Sequence, residues 1–379
     1  MSKVALIRCE SYEYGDVKRA VRQGINFVGG VRRFAAQDES ILLKANLLVG
    51  DAPGKCVNTH PAVLKAVAEI FKSTGARVSY GDSPAIGTAR AASKKIGMDV
   101  AAKEAGIELK EFQPGDEVHF PEGVQNKKFT IARAVLKSDG IISLPKLKAH
   151  GMQKFTGCVK NQFGCIPGLL KGEFHVRVPD AYRFARMLVD LDRLVHPRLY
   201  IMDGIEAMEG NGPRGGTPRK MNVLLFSEDP IALDATVCRL INLDPLLVPT
   251  IAFGQEAGRG THERQNIELV GDDFESLRCP DFVIDRAAIK PYKSKGLLRF
   301  ISNRLVPKPV IIKEKCIRCG LCISVCPAKP PAVNWRGGDK KQPPVHDYRT
   351  CIRCYCCQEL CPEKAIELRK PLLRGLFSS

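Results

Sequence analysis

The sequence lacks any long apolar stretch. No segment of its 379 residues approaches the roughly 20 apolar residues that a membrane-spanning helix needs. The first ten residues contain only a short apolar run without the core of a secretory signal, so they predict a first strand. With 44% hydrophobic and 26% charged residues, the composition is typical of a globular protein. We therefore expect no transmembrane segment and a cytoplasmic location.

The sequence also lacks the common nucleotide-binding motifs. No G-x-G-x-x-G follows a predicted strand, and the glycine-rich residues 210–216, which resemble a phosphate-binding loop, lack the Lys-Ser/Thr of a P-loop. No nucleic-acid-binding motif or aromatic-interleaved basic patch occurs either. A nucleotide site thus has weak support, and we expect no nucleic-acid partner.

Cysteine, by contrast, is abundant, and eight of the fifteen cysteines lie in two runs that each end at a proline. The runs are Cys316-x2-Cys319-x2-Cys322-x3-Cys326-Pro327 and Cys351-x2-Cys354-x2-Cys357-x3-Cys361-Pro362. In bacterial ferredoxins this spacing lets three thiolates hold one [4Fe-4S] cluster while the fourth reaches the other cluster. The spacing predicts two [4Fe-4S] clusters, one held by Cys316, Cys319, Cys322 and Cys361 and the other by Cys351, Cys354, Cys357 and Cys326.

Two other uses of cysteine fit these runs less well. Structural zinc sites use paired knuckles of two thiolates, whereas each run here is a triple repeat with a distant fourth member. Disulfide frameworks suit short secreted chains, and this chain is long and shows no signal peptide. Free thiols and low-potential clusters instead suit a reducing cytoplasm and anaerobic metabolism.

The net charge of +17 is concentrated near the end of the sequence. Residues 280–379 contain 20 Lys+Arg and 8 Asp+Glu. Because a cluster with four thiolates is an anion, part of this excess balances the clusters. The remainder favours a redox partner protein that is acidic, with a membrane surface as the alternative.

The first 285 residues alternate strand-like and helix-like segments. The predicted strands are residues 4–9, 41–48, 77–81, 140–144, 198–202 and 222–227, and the predicted helices are residues 61–73, 180–194 and 231–241. Such alternation predicts an α/β fold with a mostly parallel sheet covered by helices. Ligands of such sheets bind at the carboxyl ends of the strands.

Two segments interrupt this pattern. Residues 146–177 are polar and show little periodicity, whereas residues 291–309 form a basic connector in which Leu297, Leu298, Ile301 and Leu305 predict a short amphipathic helix. We expect an α/β body at residues 1–285, a linker at 286–309 and an appended α+β two-cluster ferredoxin-like module at 310–370. Residues 332–335 and 344–347 predict a hairpin in that module.

The body carries more polar groups near strand ends than a sheet needs. These groups occur in Lys44-Ala-Asn46, Asn58-Thr59-His60-Pro61, Gly81-Asp82-Ser83-Pro84, Pro145-Lys146-Leu-Lys148-Ala-His150, Lys160-Asn161-Gln-Phe-Gly164, Asp203-Gly204 and Gly210-Asn-Gly212-Pro213. In this order they resemble the uncharacterised family known as domain of unknown function 362, over roughly residues 4 to 275. The resemblance implies the architecture, including the C-terminal ferredoxin module, but no agreed substrate.

Because these groups follow predicted strands, they are candidates for one ligand site at the carboxyl edge of the sheet. The catalytic candidates are Lys146, Lys160, His150 and His175, where lysines bind an anionic small molecule and histidines supply protons. The substrate-binding candidates are Lys44, Asn46, Asp82, Ser83, Lys148, Asn161, Asp203, Glu209 and Asp234, of which the last three carboxylates are also candidates for a cation site.

Structural roles compete with these assignments. Asp229 is expected to cap a helix, as is His60 before Pro61. Ser83 is equally explained by a turn, and His175 by a position in the core. Cys158 and Cys165 are more simply buried spectators than redox groups.

Together these features predict an oxidoreductase that relays single electrons through two clusters to a ligand on the body. A non-catalytic carrier or maturation factor that docks a client protein is the alternative, and a flavin or another organic cofactor on the body is a third possibility. For electrons to reach the ligand, the module must pack over the carboxyl edge of the sheet, near residues 146–160.

Overall fold

The structure is a computed structural model that describes residues 1–168, 170–290 and 306–369. A ten-stranded sheet forms the body. The strands of the body are β1 (Ser2–Arg8), β2 (Ser40–Lys44), β3 (Arg77–Gly81), β4 (Glu108–Leu109), β5 (Gly115–His119), β6 (Lys128–Ala132), β7 (Gly140–Ser143), β8 (Lys146–His150), β9 (Lys154–Thr156), β10 (Leu199–Glu209), β11 (Thr217–Ser227) and β12 (Ile267–Gly271). Strands β5 and β6 pair with each other as a separate two-stranded hairpin.

The sheet is mixed, with a parallel half. Its order is β12-β1-β11-β10-β7-β2-β3-β4, with β8 paired to β10 and β9 paired to β8. Strands β10, β7, β2, β3 and β4 run parallel, whereas β11 is antiparallel to both β10 and β1. Parallel neighbours require crossover connections, which the helices provide. The predicted α/β class is confirmed.

Helices cover both faces of the sheet. They are α1 (Tyr14–Phe27), α2 (Pro61–Lys72), α3 (Ala89–Ile96), α4 (Met98–Ala105), α5 (Arg133–Leu136), α6 (Cys158–Asn161), α7 (Leu170–Arg177), α8 (Ala181–Val195), α9 (Pro230–Leu240) and α10 (Pro249–Glu256). On β2, Ile41 and Leu43 pack with α1 to α4, whereas Leu42 packs on the face that carries α8 and α9. Successive strand residues point to opposite faces, so β2 is apolar throughout.

Side-chain caps fix several helix starts. The carboxylate of Asp229 accepts hydrogen bonds from the N–H groups of Ile231 and Ala232 at the start of α9, and His60 Nδ1 accepts one from Ala62 at the start of α2. Both expected caps are confirmed.

The module is built from two short strand pairs and two helical turns. Strand β13 (Lys308–Ile311) pairs antiparallel with β16 (Ile366–Arg369), and β14 (Val333–Asn334) pairs with β15 (Val345–His346). Helices α11 (Leu321–Ser324) and α12 (Cys356–Glu359) each lie within a cysteine run. The predicted hairpin is confirmed, whereas the predicted helix at Leu297, Leu298, Ile301 and Leu305 lies outside the described residues.

The sequence predicted an irregular segment at residues 146–177, and this prediction is wrong. It contains β8, β9, α6 and α7. These elements are only three to eight residues long, so they show no sustained apolar period. Strand β8 does have the two-residue period of a strand, but polar residues instead of apolar ones occupy alternate buried positions.

Candidate functional site

Strand β8 places three polar side chains on one of its faces. Lys146, Lys148 and His150 are two residues apart, and alternate residues of a strand share a face. All three are buried. Because buried charged and polar groups need partners, the surroundings of β8 decide what this row of residues can do.

Lys146 is neutralised within the body. Its Nζ lies 2.9 Å from Asp203 Oδ2 and donates to the hydroxyl of Tyr12 at 2.7 Å. The Tyr12 hydroxyl in turn donates to Asp203 Oδ1 at 2.8 Å, and the His60 N–H donates to Oδ2 at 3.0 Å. The rings of Tyr12 and His60 stack with their centroids 3.6 Å apart. Both oxygens of Asp203 thus have hydrogen-bond partners, and no sequence pattern pointed to the role of Tyr12.

Lys44 is neutralised in a similar way. Its Nζ lies 3.0 Å from Asp82 Oδ1 and 3.2 Å from Asn161 Oδ1. Asp82 Oδ2 also accepts the Leu47 N–H at 2.7 Å. At Gly164 a Cβ would lie 1.9 Å from Asp82 Oδ1, so only glycine permits this close approach. Lys44 and Lys146 therefore form internal ion pairs, which corrects the expectation that they take part in holding an external anion.

Lys148 has no carboxylate partner among the described residues. Its Nζ donates to Asn46 Oδ1 at 2.8 Å and to the Val57 carbonyl. Asn46 Nδ2 donates to Asn161 Oδ1 at 3.1 Å, so an amide chain links Lys148 to the Lys44 pair. Burial, reinforced by the positive charges of Lys160 and Lys146, lowers the pKa of Lys148 well below 10.5.

Ser83 binds a residue that the sequence did not single out. Its hydroxyl accepts hydrogen bonds from Lys171 Nζ at 2.6 Å and from the Gly168 N–H at 2.8 Å. Burial lowers the pKa of Lys171 to about 8. Lys171 lies on α7, in the segment predicted to be irregular, so no periodic pattern pointed to it.

The structure does not bring Asp203, Glu209 and Asp234 together as a cation site. Glu209 Oε2 accepts the Val283 N–H at 2.8 Å, and Asp234 Oδ1 accepts the Cys158 N–H at the start of α6 at 2.8 Å. Burial raises the pKa of Asp234 to about 7. Across residues 1–168, 170–290 and 306–369, no group of three His, Cys, Asp or Glu side chains is arranged to hold a single metal ion. The carboxylates have structural partners instead.

His150 lies where the body meets the module. Its Nδ1 accepts the N–H groups of Met152 and Gln153, at 3.0 Å and 3.3 Å, so Nε2 carries the proton of the neutral ring. Nε2 lies 3.1 Å from Glu359 Oε1 on α12 of the module. Neither of these two buried atoms completes a well-aligned hydrogen bond within the described residues. Each atom therefore retains hydrogen-bonding capacity at the interface.

Lys160 and His175 adjoin the same contact. Burial lowers the pKa of Lys160, against the opposing charges of Glu359 and Cys356, and its Nζ has no hydrogen bond or ion pair within the described part of the chain. Burial also lowers the pKa of His175 to about 4, and its Nδ1 is likewise unpartnered among these residues. We call His150, Lys160, His175 and Glu359 the interface cluster. Glu359 was missed from the sequence because it lies inside a cysteine run.

The ring of His175 nevertheless packs as a core residue. It stacks on Phe184 with centroids 4.6 Å apart and meets Phe163 edge-on at 5.8 Å. The aromatic contacts fix its orientation, so the core role and a ligand-facing Nδ1 coexist in one side chain.

The structure brings cysteines of the two runs together. Cys316, Cys319, Cys322 and Cys361 line one cavity of the module, so a cysteine of the second run joins three of the first. Burial, followed by the thiols of Cys354, Cys351, Cys322 and Cys326, raises the pKa of Cys357 well above 9.0. Cys322 and Cys326 of the first run therefore both lie near Cys357. This first set of four thiolates fits a [4Fe-4S] cluster, and the assignment of Cys326 to the second cluster stays a prediction.

The two groups differ in their exposure. Cys319 is exposed, and Cys316 and Cys322 are half-buried. Cys351, Cys354 and Cys357 are buried, and Cys354 packs with the core of the body. Tyr355 adopts a left-handed conformation (φ 63°) at the position that Gly320 (φ 73°) occupies in the first run. The second run is thus adapted for packing against the body.

The glycine-rich loop at residues 210–216 contacts the module. Gln358 Nε2 donates to Asn211 Oδ1 at 2.7 Å, and Lys364 Nζ donates to the Gly216 carbonyl at 2.6 Å. Arg214 Nη1 donates to the Leu360 carbonyl at 2.7 Å. The module therefore packs against the body beside β8, as expected from the sequence.

All seven cysteines outside the two predicted ligand sets are buried. Burial raises the pKa of Cys158 well above 9.0 and that of Cys165 to about 12, so both thiols stay protonated and unreactive. Cys356 is buried at the interface, next to Cys357. These features favour a structural role for Cys158 and Cys165.

No helix among the described residues is long and apolar enough to span a membrane.

Comparison with known proteins identifies both parts of the chain. Residues 41–239 match the family described as "Domain of unknown function (DUF362)", and residues 308–362 match a 4Fe-4S dicluster domain. Over 319 residues the chain is 36% identical to a thylakoid-associated protein of Synechocystis sp., and the match covers 80% of this chain and 98% of that protein.

Two solved structures share a more distant similarity. The lactate racemase apoprotein of Thermoanaerobacterium thermosaccharolyticum is 13% identical with a TM-score of 0.41, and the match covers 62% of this chain and 56% of that one. A Thermotoga maritima protein is 10% identical with a TM-score of 0.38, covering 66% and 60%. This chain spans less than two thirds of either protein.

Proposed function

The chain belongs to the DUF362 family, and from that premise we propose that it is an iron–sulfur oxidoreductase acting on an anionic small molecule bound at the interface cluster. Its 4Fe-4S dicluster domain makes it an iron–sulfur protein. When bound, the two clusters supply single-electron transfer at low potential. The abundance of reduced thiols favours a reducing cytoplasm.

The burial of the second cysteine run against the body is the observation that carries this proposal. Glu359 of that run lies 3.1 Å from His150 of the body, whereas Cys319 of the first run is exposed. This asymmetry supports exchange of electrons with an acidic redox partner at the first run. It equally supports reaction with a ligand at the second run, where solvent is excluded.

Charge balance at the interface favours an anionic ligand. Asp203 and Asp82 neutralise Lys146 and Lys44, but Lys148 and Lys160 have no carboxylate hydrogen-bonded or ion-paired to them within the described residues. A bound anion would relieve the mutual repulsion of these two amines and satisfy the Lys160 Nζ.

The histidines of the interface cluster are suited to move protons. His150 Nε2 carries a proton, and His175 Nδ1 is an unsatisfied atom at the same site. Two electrons from the partner protein, delivered singly, and two protons from water through these histidines would balance reduction of one unsaturated bond of the ligand. Proton transfer would give both histidines a chemical function in addition to their packing in the core.

The alternative is a non-catalytic carrier or maturation factor that docks a client protein. Such a role needs apolar surface at the carboxyl edge of the sheet, and the edge is instead lined by buried charged and polar residues. A flavin on the body is the other alternative, and it would also be recovered with the protein.

Mass spectrometry of the anaerobically purified protein tests the proposal. We expect a small anionic compound, released on denaturation, to accompany the wild type. Lys160→Met keeps most of the side-chain volume but removes the charge, so it should lose this compound while retaining iron and sulfide. Lys128→Met, at a lysine that is 60% exposed, is the matched control. If all three proteins retain the compound equally, Lys160 is not part of the site. If the recovered compound is a flavin, the flavin alternative takes the place of the small anionic ligand.

A further inference from the structure

Charge is divided unequally between the two halves of the module. Residues 306–350, which include the first cysteine run, contain nine Lys+Arg and three Asp+Glu. Residues 351–369, which include the second run, contain three of each. The positive charge therefore belongs to the half with the exposed cysteines, and packing against the body does not explain it.

The excess charge surrounds one exposed apolar side chain. Ile317 is 58% exposed and precedes Arg318 and Cys319. Arg318 Nη1 donates to the Lys341 carbonyl at 3.1 Å, which holds Lys340 and Lys341 beside the first run. We define the basic face as Ile317 with the exposed residues Lys313, Lys315, Arg318, Lys340 and Lys341.

Most of these cations have no acidic partner in the described residues. Lys315 pairs with Glu367 at 3.2 Å, but both side chains are about half exposed and the pair adds little stability. No ion pair is seen for Lys313, Lys340 or Lys341 within the same residues. The anionic cluster of the first run balances part of this charge, and the cations that remain favour an external anionic partner.

The geometry points to the basic face as the docking site of an acidic protein that carries one electron at a time. This inference rests on the proposed electron-transfer function. A small apolar centre with a charged rim is suited to a brief encounter, because complementary charge raises the association rate while a small interface lets the partner leave. One electron leaves the carrier, which is oxidised, and reduces the cluster held by Cys316, Cys319, Cys322 and Cys361, and no covalent bond changes.

The charge pattern and the exposed cysteine together favour a protein carrier over an anionic membrane. A membrane surface would attract the same lysines, but peripheral binding also needs several apolar side chains to enter the lipid. Among the described residues of the basic face only Ile317 serves that purpose. A membrane is therefore the competing outcome of the test below.

Stopped-flow reduction of the anaerobically reconstituted full chain provides the test. The probe is reduced flavodoxin, an acidic flavoprotein, and dithionite serves as a small reductant that needs no docking. The variants are Lys340→Glu/Lys341→Glu and Lys313→Glu, all at exposed positions, and the matched control is Lys94→Glu/Lys95→Glu on α3 of the body.

We expect the double variant to lower the second-order rate with flavodoxin about tenfold or more, and Lys313→Glu to lower it less. The wild-type rate should fall as salt is raised. The control variant should leave the flavodoxin rate unchanged, and the rates with dithionite, which is a small anion, should change much less than the flavodoxin rates. A flavodoxin rate that changes with neither the charge reversal nor the salt concentration would overturn the inference. So would variants that sediment less with phosphatidylglycerol vesicles but keep the wild-type flavodoxin rate. Clusters that dithionite cannot reduce would remove the electron-transfer function itself.

Discussion

Arg214 joins the body to the module, and its removal should loosen the packing between them. Its guanidinium binds Asp51, with Nε 2.6 Å from Oδ2 and Nη2 3.1 Å from Oδ1, and Nη1 donates to the Leu360 carbonyl. Arg214→Ala removes a charged hydrogen bond across the interface. Among the described residues it leaves buried Asp51 with Lys55 as its one ion-pair partner, 3.6 Å away and 57% exposed. A hydrogen bond to a charged group contributes about 1.5–3 kcal/mol, so the undocked population should rise about 30-fold for a loss of about 2 kcal/mol.

Alkylation of Cys356 measures that population, because this thiol is buried at the interface and belongs to neither ligand set. Its labelling rate, followed by mass spectrometry under anaerobic conditions, should rise by the same factor. Cys158, buried inside the body, reports global unfolding and should stay unlabelled. Arg133→Ala, which removes an exposed pair with Asp116, is the control variant. An unchanged Cys356 rate in Arg214→Ala, or equal acceleration at Cys158, would refute this account of the interface.

Three further outcomes are expected. Asp203→Asn leaves Lys146 buried without its counter-charge and should lower the free energy of unfolding by about 3–5 kcal/mol in denaturant titration. The exposed control Asp116→Asn should cost less than about 1 kcal/mol, and a cost that small for Asp203→Asn would contradict the ion pair. Because burial lowers the pKa of His175 to about 4, the wild type should keep its full stability above pH 6.5 and lose about 1.4 kcal/mol per pH unit between 6.5 and 4 relative to His175→Gln; a pH-independent difference between the two proteins would oppose this. Replacing Cys326 by Ala should disturb mainly the cluster held by the second run in electron paramagnetic resonance, and wild-type iron should approach about eight atoms per chain; about four, or stoichiometric zinc, would contradict two clusters.

Much of the fold follows from local sequence patterns. Strand β3 has the predicted bounds, and α2 and α9 begin at their predicted caps. Such signals are reliable because a cap or a strand period depends on residues only a few positions apart. The segment at residues 146–177 was misjudged because its elements are too short to show a period and because β8 buries lysine and histidine.

The partners of the polar residues were not predictable in this way. Lys44 meets Asp82 and Lys146 meets Asp203 only because the strand order and register bring distant segments to one edge of the sheet. The sequence suggested four lysines around one anion. The structure neutralises two of them internally and leaves Lys148 and Lys160 without such pairing in the described residues.

The sequence by itself determined the two cysteine runs and the α/β class, because ligand spacing and helix or strand periodicity are set by neighbouring residues along the chain. Only the tertiary structure decided that the second run packs against the body while the first stays exposed. It also placed Glu359 beside His150, more than two hundred positions away in the sequence. Contacts at that separation depend on how whole elements pack, and the local spacing of residues carries no information about them.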